Sequence, residues 1–215
     1  KRNKRNKMCG RYVVTKPVTK TAGLVKTTIK VEDVDNYNAH PTQKLPIIKS
    51  YTNGKALENY NWGLVPSWAE SKKDFRPLIN ARLETLMEKV SFKKLIQTSR
   101  CIVVADGYYE WKRNEKEKVP HYFTKINSSL MFLAAIHQNN QFCIITREAT
   151  DSIKEIHNRE PLILNEEQIS NYLDIKKEGI DFLKSIKAPE LKFYEVSKNV
   201  NKPINNHLSL IKSTA

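Results

Sequence analysis

Met8-Cys9-Gly10-Arg11-Tyr12 places a cysteine directly behind a methionine. Once cleavage frees the nitrogen of Cys9, that residue carries an amine and a thiol on adjacent carbons. The amine condenses with an aldehyde to an imine, and the thiol closes on the imine carbon to give a five-membered thiazolidine. A cysteine within the chain cannot do this, because its nitrogen is an amide. Reference pKa values of ~7.7 for an α-amine and ~8.5 for a thiol leave both groups partly nucleophilic near neutrality. The plainer alternative is a small apolar side chain in an N-terminal strand.

Proton-transfer groups would have to meet such a nucleophile. Glu110 sits among Tyr108, Tyr109 and Trp111. A carboxylate packed against rings holds its proton more readily and becomes a usable general acid or base. Strand alternation could equally turn it to solvent. His157 falls at the end of an expected helix, before the loop broken by Pro161, and imidazole suits proton transfer near neutrality. A lone histidine is as readily a surface residue or one satisfied in the core. Asn80 and Arg82 are two apart, so on an extended segment they face the same side, where an amide and a guanidinium suit phosphate or sugar oxygens. Alternatively they lead into a helix in which Glu84 pairs with Arg82. Trp62 and Trp68 flank one bend, either as packing or as a contact surface.

Composition narrows the classes. With 215 residues, 40% hydrophobic and 28% charged, the chain suits one globular domain. No apolar run approaches the ~20 residues of a membrane span. The formal charge is +14. Five of those charges fall in Lys1–Lys7, a basic low-complexity stretch, and the remaining +9 still favours a polyanion such as nucleic acid. Three cysteines, Cys9, Cys101 and Cys143, show no paired spacing. That argues for a reducing, intracellular compartment and against zinc. Gly-rich phosphate loops, His-Glu-x-x-His and Gly-x-Ser-x-Gly are absent, so neither metal nor cofactor is expected.

The elements that must position these groups read as follows. Strands are expected over Cys9–Thr15, Leu45–Tyr51 and Leu57–Val65, the last two joined at Asn53-Gly54. Residues 16–36 are a polar linker or weak helix, and 37–41 a loop. A helix spans Glu84–Thr98, and Arg100–Ala105 is a buried strand ending in a turn at Asp106-Gly107. Further strands lie near Tyr122–Ile126, Leu130–Ile136, Phe142–Thr146 and Leu191–Val196. Short helices cover Ala149–His157, Asn165–Leu173 and Ile180–Ile186, the second opened by Asn165 with Gln168. The pattern predicts an α+β fold: a mostly antiparallel, barrel-like sheet with short peripheral helices in a single domain. Residues 1–8 are expected as a basic leader, whether a tag, misassigned upstream sequence or a propeptide, and 9–215 as the domain.

Six motifs then stand in order: Met-Cys-Gly-Arg-Tyr at 8–12, Tyr-Asn at 37–38, Trp-Gly-Leu-Val-Pro-Ser-Trp at 62–68, Asn-Ala-Arg-Leu-Glu at 80–84, Asp-Gly-Tyr-Tyr-Glu-Trp at 106–111 and Ile-His-Asn-Arg-Glu-Pro at 156–161. Together they resemble the SRAP family, the SOS response-associated peptidase or abasic-site processing proteins. The resemblance implies a sensor of abasic sites in single-stranded DNA that crosslinks itself to the ring-opened sugar aldehyde. It implies catalytic roles for Cys9 (amine and thiol), Glu110 (ring opening and later proton transfers), His157 (acid/base at the imine stage and in reversal) and Asn80 (positioning the N-terminus and the sugar). Arg11 and Arg82 would hold phosphates, and Trp68 and Asn38 would line the DNA path. A lyase activity by β-elimination and autoproteolysis after Met8 are further implications, with a monomer in the cytoplasm or nucleoid. Two positions depart from the family pattern: His40 in the 39–41 loop, and Glu160 where a non-acidic residue is commoner, which argues against close DNA contact there. A cysteine peptidase acting on protein, with Cys9 and His157, and a non-covalent single-stranded DNA-binding module are the competing classes.

Overall fold

The computed structural model describes residues 10–113 and 117–215; Cys9 and the expected leader lie outside the described residues. Fourteen strands and five α-helices follow in order: β1 (Tyr12–Val14), α1 (Pro17–Thr21), β2 (Thr27–Ile29), β3 (Asn36–Ala39), β4 (Lys44–Tyr51), β5 (Gly54–Trp62), β6 (Asn80–Arg82), α2 (Val90–Thr98), β7 (Arg100–Ala105), β8 (Gly107–Arg113), β9 (Lys118–Lys125), β10 (Met131–Gln138), β11 (Gln141–Glu148), α3 (Asp151–Lys154), β12 (Arg159–Pro161), β13 (Ile163–Leu164), α4 (Ile169–Leu173), α5 (Gly179–Ser185) and β14 (Leu191–Glu195). Those counts are of the described residues, and short 3₁₀ turns fill several links.

The strands form two sheets. One has the order β14-β9-β8-β1-β3. The other runs β12-β11-β10-β7-β4-β5-β2, with β13 on β10 and β6 on β11. A parallel pairing of β11 with β5 closes part of this second sheet into a ring. The fold is therefore mixed α+β, mostly antiparallel and partly barrel-like, with short helices outside.

Continuous apolar runs explain the layering. Every residue of β7 is buried, as a strand covered on both faces requires. Ile102 and Val104 pack with Leu95 and Ile96 of α2 and Leu183 of α5. Cys101, Val103 and Ala105 face Tyr12, Tyr108 and Phe123 of the five-stranded sheet. The outer face of that sheet is covered in turn by Val196, Val200 and Leu210 near the C-terminus, against Tyr109 and Tyr122. Burial pushes the Cys101 and Cys143 thiols upward, so both are inert core groups.

Several local expectations shift. The helix expected over Glu84–Thr98 is a 3₁₀ turn, Leu83–Thr85, followed by α2 from Val90. Buried Leu83 and Leu86 hold the turn, and extended Lys89 separates it from α2. The helix expected over Ala149–His157 is only α3, and the chain beyond it joins the sheet as β12 rather than remaining a loop. The linker at 16–36 contains both α1 and β2. In the β4–β5 hairpin Tyr51 pairs with Gly54, so its tip is Thr52-Asn53, and Gly54 takes φ 128°. Asp106-Gly107 is no hairpin turn: it carries the chain from the nine-stranded sheet into the other. A Cβ on Gly107 would run into the Phe123 carbonyl and the Tyr122 ring, so that crossing needs glycine.

Candidate active site

Two strands carry the first half of the site. Tyr12 of β1 pairs with Tyr108 of β8 and Val13 with Gly107, and the Tyr109 N–H donates to the Arg11 carbonyl at 3.0 Å. Gly10 and Arg11 thus run beside Tyr109 and Glu110. Alternation along β8 puts Glu110 on the same face as Tyr108, toward the second sheet. Glu110 is 1% exposed, which overturns the solvent-facing alternative. Across the β8–β9 ladder its partner is His121, itself nearly buried, with Nδ1 3.0 Å from the Val119 carbonyl.

The second half comes from the other sheet. His157 stands between α3 and β12, and its Nδ1 lies 4.0 Å from Glu110 Oε1. Its side chain is 8% exposed. Burial lowers the His157 pKa first; the Arg159 carbonyl opposes that, and the positive charges of Arg113 and Arg159 add to it. The neutral ring accepts from the Arg159 N–H at Nδ1, at 3.2 Å. With a proton on Nδ1 instead, the same atom faces the Arg159 carbonyl at 3.3 Å and the Glu110 carboxylate. The imidazole can therefore exchange a proton without leaving its place.

Asn80 and Arg82 lie on an extended strand, β6, parallel to β11 and paired with Ile144 and Thr146. They share one face, with Ala81 buried on the other. Asn80 is half-buried and Arg82 exposed. Glu84 does not pair with Arg82. It grips Arg159 with both oxygens at 2.8 Å and accepts from the Glu148 N–H at 2.9 Å. Against the opposing effect of burial, these bonds hold the Glu84 carboxyl below its usual range. Arg159 also donates to the Thr146 carbonyl.

The DNA-path candidates separate into two kinds. Trp68 is 51% exposed, stands edge-on to Phe75 and has Lys72 over its ring, an accessible platform. Asn38, expected along the path, is 1% exposed. Its Nδ2 donates to the Val200, Lys202 and Asn205 carbonyls, and its Oδ1 accepts from Arg11 at 2.7 Å. Arg11 is half-buried and donates a further bond to the Val200 carbonyl. Asn38 clamps the C-terminal segment and orients Arg11. Glu160 is buried as well, paired with Arg147 at 2.8 Å and accepting from Thr150. His40 is half-buried, its Nδ1 2.9 Å from the Pro41 carbonyl.

Sequence reasoning passed over His121, Arg113 and the Glu84–Arg159 pair. Only the β8–β9 register sets His121 opposite Glu110. Arginine after His-Asn at 157–158 was visible, but nothing local marked Glu84 as its partner. Among the described residues, no group of three or more His, Cys, Asp or Glu is placed to hold a metal, and no helix is long and apolar enough to cross a membrane.

A model of the family described as SOS response associated peptidase (SRAP) matches residues 8–203. Abasic site processing protein YoqW of Bacillus subtilis (strain 168) is 35% identical over 192 residues, covering 83% of this chain and 86% of that one. Abasic site processing protein YoaM of the same organism is 36% identical over 197 residues, covering 85% and 86%. A crystal structure of a protein from Bacteroides thetaiotaomicron superposes with a TM-score of 0.83 at 24% identity, covering 96% of this chain and all of that one, which bears on the fold.

Proposed function

Because the chain belongs to the SOS response associated peptidase family, we propose that it processes abasic sites in DNA, acting on single strands through a covalent bond to Cys9. The observation that carries this is the buried Glu110–His157 pair at 4.0 Å, beside the strand through which the chain leaves Gly10 and Arg11.

The chemistry uses each group at a definite atom. Glu110 shuttles the proton that opens the sugar hemiacetal to its aldehyde. The Cys9 amine adds to the aldehyde carbon, and loss of water leaves an imine. The thiol then adds to the same carbon as its proton passes to nitrogen, closing the thiazolidine with one water released overall. His157, neutral at physiological pH, takes and returns protons at the imine stage and in reversal. Asn80 positions the terminus and the sugar. From the imine, proton abstraction permits β-elimination, a lyase outcome. Residues 1–8 must be removed for the amine to exist, by the protein itself after Met8 or by another peptidase.

Arg82 and Trp68 supply the exposed contacts a single strand needs, a cation for phosphate and a ring for base stacking. Arg11 takes part with its direction set by Asn38. A monomer acting inside the cell completes the proposal.

The test is protein beginning at Cys9, mixed with single-stranded DNA carrying one abasic site and run on a denaturing gel. A shifted band absent in Cys9→Ala is expected. Peptide cleavage without such a band would favour a peptidase, and salt-sensitive binding with neither would favour a passive binding module.

A further inference from the structure

A cleft of about 710 Å³ opens with neither Glu110 nor His157 in its lining. It lies where β9 ends, β10 begins and the segment before β14 returns. Lys125, at the end of β9, lines it. Lys125 lies four positions along β9 from His121, the partner of Glu110, or about 13 Å of strand at ~3.3 Å per residue.

Lys125 is 9% exposed. Its Nζ stands 5.9 Å from the centre of the Phe132 ring, and among the described residues it has neither an ion pair nor a hydrogen-bond acceptor. Burial lowers its pKa, and Glu166 is the one charge that opposes this. The Lys125 stem is covered while Nζ itself keeps contact with the cleft, where an entering acceptor oxygen would complete it. The other lining lysine, Lys20, is already held by Asp106. Three carboxylates, Glu166, Glu167 and Glu190, line the same cleft and are exposed. Leu24 and Leu130 add apolar wall to the same lining.

We infer that this cleft binds a small amphoteric ligand of the amino-acid type, with an acceptor oxygen on Lys125, a cationic group among the glutamates and an apolar body between them. The lining holds three carboxylates against two lysines, one of them paired with Asp106, so it disfavours a polyanion.

The probe is 6-aminohexanoate, titrated against the whole protein by calorimetry. Saturable binding is expected, with hexanoate and 1-aminohexane each weaker. Lys125→Met should weaken the zwitterion about tenfold or more, the loss of one hydrogen bond from a charged donor, and Glu190→Gln should weaken it less. Abasic-DNA crosslinking by Lys125→Met should match wild type, which also reports that the variant is folded. Independently of any variant, acetylation of Lys125 by dilute acetic anhydride, mapped by peptide mass, should fall when 6-aminohexanoate is present. No saturable binding, unchanged binding in Lys125→Met, equal acetylation with and without the probe, or displacement of the probe by oligothymidylate would each overturn the assignment.

Discussion

The carboxylate of Glu110 and the imidazole of His157 meet 4.0 Å apart although Glu110 lies on β8 of one sheet and His157 in the link that leads into β12 of the other. Burial and two arginine charges lower the His157 pKa. The base form therefore persists at pH values where a free histidine would be protonated. The His157 ring should titrate below the ordinary ~6.5 of histidine, read by NMR as the imidazole resonance lost in His157→Gln; a midpoint at or above ~6.5 would contradict this.

Glu110→Gln keeps the shape of the side chain but removes the proton shuttle. It should slow crosslinking by about 10²-fold or more, while affinity for abasic single-stranded DNA, read by anisotropy, stays within a few-fold. Equal losses in both would make Glu110 a structural residue.

Asn38→Ala and Trp68→Ala should part company. Asn38 ties three carbonyls of the C-terminal segment and Arg11, so its loss should cost about 2–3 kcal/mol in urea unfolding. Trp68→Ala should leave unfolding within about 0.5 kcal/mol and weaken single-strand binding by roughly 1–3 kcal/mol per stacked base. A stable Asn38→Ala that binds DNA poorly would instead place Asn38 on the DNA path.

His137 lies edge-on to Tyr60, and burial, then the charge of Lys49, bring its pKa down to about 4. Its unfolded-state value is near 6.5, so the unfolded chain takes up the proton first. Its contribution is complete above pH ~6.5 and is lost as pH falls toward 4, on the order of 3 kcal/mol in all. Urea midpoints measured at pH 7 and 4.5 should differ less in His137→Gln than in wild type; an identical difference would remove His137 as the source.

Glu160 and Arg147 form a nearly buried pair at 2.8 Å, and Glu160 also accepts from the Thr150 backbone and hydroxyl. These bonds tie the start of α3 to β12 around the segment that carries His157. Glu160→Ala leaves Arg147 uncompensated and should cost about 3 kcal/mol in chemical denaturation. The Glu160→Met, Arg147→Met double variant should recover most of that loss. Failure of the second change to recover stability would show that the bonds to Thr150, not the ion pair, hold the loop.

What the sequence determined by itself was local or periodic. Apolar runs such as 100–105 mark strands covered on both faces, Gly54 marks a hairpin, and the residue types of Cys9, Glu110 and His157 state their chemistry without coordinates. Alternation alone left the direction of Glu110 open, because a seven-residue strand such as β8 can bury either face. Tertiary structure decided that direction, since Tyr108 must pack on Phe123 and Tyr12 and so carries Glu110 inward with it. It also decided that Glu84 belongs to Arg159 and that Asn38 is a buried clamp. Those partners lie 75 residues apart in one case and 162 or more in the other. Neither propensity nor spacing encodes such pairings; they follow from which strands share a ladder and which faces are left for the chain end to cover.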